Sequence, residues 1–168
     1  MALIIEDGSG VANANSYISV QEAKDYAALR GLTLPSTDPE IEILAIKAFD
    51  YLEALDYKGV PANPPQATEF PRADLYIQGI LFANDEIPHK LKKAQSQLTF
   101  EATNSDLQPT GDGREVVREK VDVIEVQYAE KGTSVSKPTF TAVNSLLKDL
   151  VKSGAYASGT GSLSSLRV

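Results

Sequence analysis

Apolar residues recur along this chain mostly at spacings of three and four, the period that lets one face of a helix be buried. The clearest stripe is Ile41, Leu44, Ala45, Ala48, Leu52 and Leu55. It predicts a helix capped by Asp38, with Pro39 at the first position, where a missing amide hydrogen does no harm. Before it, Ser19 and Glu22 form a capping box, two groups that satisfy each other's orphan donors at a helix start. That helix carries Val20, Ala23, Tyr26 and Ala27 on one side and stops at Gly31, which adopts a left-handed conformation cheaply. A third helix begins at Pro88, with Ile87, Leu91, Ala94, Leu98 and Ala102 on its apolar face. Pro138 opens a fourth, whose face is Phe140, Val143, Leu147, Leu150 and Val151.

Alternation with a period of two is rarer. Residues 2–6 are a short strand candidate closed by the turn cluster Asp7-Gly8-Ser9-Gly10. Between Val116 and Tyr128, Val117, Val121 and Val123 alternate with charged residues, and then Ile124, Val126 and Tyr128 take the opposite parity. A one-residue shift exchanges the buried and exposed faces of a strand. Without Gly, Pro or Asn at the changeover, the pattern favours a bulge or one long strand crossing two environments over a tight hairpin. A strand of that kind can serve two subunits in turn, which makes Arg118, Lys120, Ile124, Val126 and Tyr128 candidate subunit contacts. The alternative is a bulged strand within one domain. Residues 56–72 hold Pro61, Pro64, Pro65 and Pro71, so they read as a long loop, neither helix nor inner strand. Leu75 to Phe82 is apolar without a clear period.

The expected fold class is therefore mainly α: a bundle of about four helices with a short β element, one long or bulged strand able to pair with the N-terminal strand. The domain spans 1–152, and an extended tail covers 153–168. The tail is rich in Gly and Ser, with Leu163, Leu166 and Val168 as its few anchors, too few to bury a core of its own. It is expected to order against a partner; a frayed terminus is the plainer reading.

Composition narrows the function. A chain of 168 residues suits one domain with a real core. Apolar residues at 42% and charged residues at 23% match a soluble globular protein. No run approaches the ~20 apolar residues of a membrane span, and Glu6 and Asp7 interrupt any signal segment at once. With no cysteine there is no disulfide, thiolate metal site or cysteine nucleophile. The formal charge of −7 is uneven: residues 1–56 hold ten acidic and three basic side chains, whereas 137–168 hold four basic and one acidic. Nucleic-acid binding needs a cationic face that displaces phosphate counterions, so this balance fits contacts between protein subunits better.

Chemistry-bearing patterns are weak. His89 is the one histidine and reads as a surface residue at a helix start. Asp38, Glu40 and Glu42 lack calcium-loop spacing and suit the first turn of a helix. Gly8-Ser9-Gly10 and Gly159-Thr160-Gly161 do not match a phosphate fingerprint. Ser134 to Lys137 and Ser145 to Lys148 have Ser-x-x-Lys spacing without the companion motifs of serine acyltransferases. The twelve Tyr and Phe are scattered and not interleaved with basic residues, unlike a base-stacking platform. The expectation is a non-enzyme with no cofactor and no metal.

The order of segments carries a resemblance. Ala2-Leu3-Ile4-Ile5-Glu6-Asp7-Gly8-Ser9-Gly10 leads to Ala12-Asn13-Ala14-Asn15-Ser16-Tyr17 and the capped helix; Gln66-Ala67-Thr68-Glu69-Phe70-Pro71-Arg72 follows; then Ile87-Pro88 with Lys92, Ala94 and Leu98; then Arg118-Glu119-Lys120-Val121 running into Ile124-Glu125-Val126-Gln127-Tyr128. The chain resembles the phage and prophage head–tail adaptor proteins, some of which bear a primosomal, single-stranded-DNA-binding label. The resemblance implies a homo-oligomeric ring, twelvefold to match the portal, with the next tail or stopper component below and duplex DNA passing through an acidic channel. It places the protein in the virion neck, and in host cytoplasm during assembly. It makes the tail the candidate portal contact, through Gly154, Tyr156, Leu163, Leu166, Arg167 and Val168. Two departures stand out: Phe70 where relatives tend to have tryptophan, and Asp122 where glycine is common. The alternative function is a single-stranded-DNA-binding replication accessory protein, or a neck protein outside the portal-binding layer.

Overall fold

The computed structural model of the chain describes residues 3–108, 116–120, 125–128 and 139–152. In chain order the elements are helices α1 (Val20–Ala28) and α2 (Asp38–Glu53), strands β1 (Val60–Pro61), β2 (Arg72–Ala73), β3 (Tyr76–Ile77) and β4 (Ile80–Leu81), helix α3 (His89–Asn104), strands β5 (Val116–Lys120) and β6 (Glu125–Tyr128), and helix α4 (Thr141–Leu147). The strands form three separate antiparallel pairs, β1–β2, β3–β4 and β5–β6. Four helices with short strand pairs make the mainly α class expected from the periodicity. The contacts divide the chain into two compact units: a helical one, Met1–Leu107 rejoined at Phe140, and a second one from the intervening Gln108–Thr139.

In the helical unit α3 is the central element, packed against α1, α2 and α4. Its Leu91, Ala94 and Leu98 are fully buried, as the stripe predicts, but so are Gln95 and Thr99, and Ser96 and Gln97 nearly so. A helix covered on more than one side must bury polar positions too, and each then needs a partner. Gln95 has three: its Oε1 accepts the Tyr17 N–H at 2.8 Å, and its Nε2 donates to Ser16 Oγ at 2.9 Å and to the Ala45 carbonyl at 3.0 Å. One side chain thus ties α3 to α2 and to the segment before α1.

The aromatic heart of the core is Tyr17, Phe49, Tyr57 and Phe70. Phe70 is fully buried and stands edge-on to both Tyr17 and Tyr57, with ring centroids 6.2 and 4.8 Å away. All five residues of the fourth apolar face, Phe140, Val143, Leu147, Leu150 and Val151, are buried. Beyond α4 the chain is pinned to the segment after α2: Val151 bridges Tyr57, the Lys58 N–H donates to the Leu150 carbonyl, and the Lys152 N–H donates to the Asp56 carbonyl.

The helix starts follow the sequence with one change. Ser19 and Glu22 make both halves of the capping box, and Gly31 has φ +64° just past α1. For α2 the cap residue is Thr37, not Asp38; Asp38 is already helical and reaches Lys24 of α1 at 2.5 Å. Thr37 instead donates its hydroxyl to Glu40 Oε2.

Two strand expectations are corrected. The segment 116–128 is not one long strand: β5 and β6 pair as an antiparallel hairpin, Lys120 opposite Glu125 and Glu119 opposite Val126. A hairpin accounts for the parity change simply, because the chain reverses direction between the two halves. A register irregularity does occur, but it lies between Val116 and Arg118. The N-terminal strand makes its bridge elsewhere: Ile5 bridges Ser16 in parallel. The cause is Glu6, which is fully buried and folds the segment back by accepting N–H groups from Gly8, Gly10 and Val11 at 2.8, 2.9 and 2.7 Å. Leu75 to Phe82 resolves into the β3–β4 hairpin, whose turn Gln78-Gly79 takes φ of 53° and 84°, the two positive values a type I′ turn requires.

Candidate functional site

The long proline-containing loop between α2 and β3 is built around one arginine. Arg72 is only 6% exposed, and its guanidinium has five N–H donors to satisfy. Its Nε donates to the Lys58 carbonyl at 2.8 Å; Nη1 donates to the Glu69 carbonyl at 3.1 Å and to Glu69 Oε2 at 2.5 Å; Nη2 donates to the carbonyls of Gly59 at 3.0 Å and Tyr57 at 3.4 Å. Gln66 closes the loop further, with Nε2 donating to the Thr68 and Pro71 carbonyls and Oε1 accepting the Asn63 N–H. A loop that hydrogen-bonds its own backbone in this way is held nearly as firmly as an element of regular structure.

On the α2 side, Glu53 completes the closure. Its Oε1 accepts the Tyr17 hydroxyl at 2.5 Å and its Oε2 accepts the Glu69 N–H at 2.9 Å, while the Tyr17 oxygen accepts the Phe70 N–H at 3.2 Å. Burial pushes the Glu53 carboxyl above its ordinary range; the hydrogen bonds from Tyr17 and Glu69 offset this in part, and the charges of Glu69 and Asp50 push it up again. Burial likewise drives the Tyr17 phenol far above its usual value, and the Glu53 charge adds to the effect. Between Glu53 and the loop lies a cavity of about 230 Å³, lined by Glu53, Glu69, Gln66, Thr68, Ala67 and the rings of Pro61, Pro64 and Pro65. Two carboxylates and three prolines, with no cation in the lining, can accept hydrogen bonds from a positively charged group and pack its apolar stem.

The residues proposed as contacts from sequence are described only in part. Arg118 and Lys120 fall in β5, and Val126 and Tyr128 in β6, where the backbone register is described and the side chains are not. Ile124, Gly154, Tyr156, Leu163, Leu166, Arg167 and Val168 lie outside the described residues, as do Asp122, Pro138 and the tail as a whole. His89 is the exposed first residue of α3, and among the described residues no group of three His, Asp or Glu side chains could hold a metal ion. No described helix is long and apolar enough to cross a membrane. The Glu53 constellation went unseen in the sequence. Tyr17, Glu69 and Arg72 stand in recognisable segments, but Glu53 is simply a polar position near a helix end.

Several cations of the described residues are engaged. Lys24 pairs with Asp38, Arg72 with Glu69, Lys90 with Asp149 at 2.5 Å and Lys92 with Glu22 at 3.3 Å. Lys58 donates to the Asp149 carbonyl, and Arg30 lies over the Tyr26 ring at 3.6 Å. The larger aromatic rings, Tyr17, Tyr57, Phe49, Phe70 and Phe140, are buried, whereas Tyr76 of β3 is 57% exposed.

Compared with known proteins, residues 1–168 match the model of one family, described as "Putative DnaT-like ssDNA binding protein". No curated protein matches the chain, and no solved structure does.

Proposed function

The chain belongs to this DnaT-like family, and within it we propose a structural protein of assembly: a head-to-tail adaptor, forming a ring between the portal and the next connector of a virion. The observation that carries this reading is the division of the chain into a closed helical unit and a separate β5–β6 hairpin unit inserted between α3 and α4. A hairpin unit distinct from the helical core is suited to engaging a neighbouring subunit, and the order of sequence segments resembles that of adaptor proteins. The charge supports the same reading. A chain of net charge −7, with Lys24, Lys90 and Lys92 of the described residues held in ion pairs, carries an overall field that repels a duplex sliding past it. The partners proposed are the portal, a tail or stopper protein and further copies of this chain.

The family description favours a second reading, single-stranded DNA binding in replication, and nothing in that match speaks for a virion. Electrophoretic mobility of labelled single-stranded DNA at low salt separates the two. The adaptor reading expects no shift at micromolar protein; a shift that fades steeply with added salt would overturn it, because that slope counts phosphates neutralised.

A further inference from the structure

We propose that the cavity between Glu53 and the proline-containing loop is a receptor for one arginine side chain presented by a protein partner. This goes beyond the assembly reading and does not depend on it, since the pocket can be assayed with a small probe on the free chain.

Four features converge on a guanidinium. The lining contributes two carboxylates, Glu53 and Glu69, and no cation. Each Glu53 oxygen accepts one hydrogen bond from the protein, which leaves part of the carboxylate's capacity of about four open. Pro61, Pro64, Pro65 and Ala67 offer a rigid apolar wall for the three-carbon stem of arginine, which buries readily while its head stays hydrogen-bonded. The volume of about 230 Å³ is enough for one such side chain.

The electrostatics explain why the site is unfavourable when empty. Burial and the charges of Glu69 and Asp50 resist the charge of Glu53, and the hydrogen bonds from the Tyr17 hydroxyl and the Glu69 N–H offset this only in part; Arg72 is directed to Glu69 and to backbone carbonyls. A planar cation that bridges Glu53 and Glu69 relieves that repulsion and presents donors in a fork that suits paired carboxylates better than an ammonium does. The loop needs no rearrangement to receive it, because Arg72 and Gln66 already fix its backbone.

The test uses the full chain at neutral pH and low ionic strength, titrated with N-acetylarginine amide and, separately, with its neutral isostere N-acetylcitrulline amide. Amide resonances of Gln66, Ala67 and Glu69 and the Glu53 carboxyl carbon are followed by NMR. The expected result is saturable binding at millimolar probe, at least tenfold tighter for the arginine compound, with the Glu53 titration displaced to lower pH when the probe is bound. Ala67→Arg, which tethers a guanidinium at the exposed lip, should abolish probe binding and lower the Glu53 titration without any ligand. Discrimination below tenfold, absence of saturation, or an unmoved Glu53 titration overturns the proposal.

Discussion

Arg72, Gln66 and Glu53 hold the site together, and each does so by satisfying groups that the backbone leaves open. Arg72 is the most consequential, because its fork closes four carbonyls and one carboxylate at once. Removing it leaves those acceptors without donors, at about 3 kcal/mol. Arg72→Lys should recover less than half of that, since an ammonium cannot reach five fixed acceptors. Urea unfolding followed by circular dichroism measures both. Glu53 carries the opposite lesson. Its carboxyl is raised above the ordinary value of 4.5 in the folded chain, so the folded state binds its proton more tightly than the unfolded state does. By linkage the wild-type chain gains stability from this group as pH falls through the folded value, and the gain is complete near the unfolded one. Glu53→Gln removes that dependence. Its stability relative to wild type should therefore be greater at pH 7 than at about pH 4.5, and a difference in urea midpoints that grows on acidification instead would refute the assignment.

At the scale of elements, α3 shows what periodicity captures and what it misses. The apolar stripe fixes which side meets the core, and Leu98→Ala should cost about 2–5 kcal/mol through the cavity it leaves. The same helix buries Gln95, whose amide is saturated by Tyr17, Ser16 and Ala45. Gln95→Leu keeps the volume yet strands three partners, so its cost should rival that of the cavity, about 2–4 kcal/mol. By contrast Ile80, 74% exposed on β4, should tolerate Ile80→Ser within about 0.5 kcal/mol. Thermal and urea unfolding of the three variants rank these costs directly. The ranking runs against hydropathy, which alone would make Gln95 expendable and Ile80 essential.

Across the whole molecule, the C-terminal residues of the helical unit are fastened where the described chain ends. Val151 and Lys152 are bound to Tyr57 and Asp56. Truncation after Lys152 should therefore leave the urea midpoint of the helical unit unchanged, and under the proposed adaptor function it should prevent attachment to a portal. Co-sedimentation of the truncated chain with portal particles checks the second half, and undiminished attachment would remove residues 153–168 from the proposed mechanism.

Helix number, the buried stripes, the Ser19–Glu22 cap and the proline loop were legible in the sequence, because each depends on neighbours within a turn or two along the chain. The hairpin at 116–128 was misread because reversal of a strand and a bulge produce the same parity change in one dimension. The Glu53 pocket was invisible for a related reason: it joins Tyr17, Glu53 and Glu69, residues 36 and 16 positions apart, through hydrogen bonds that exist only once α2, the loop and the N-terminal segment have packed. Local periodicity determined which elements form; long-range closure decided which polar groups meet, and with that where a ligand can be held.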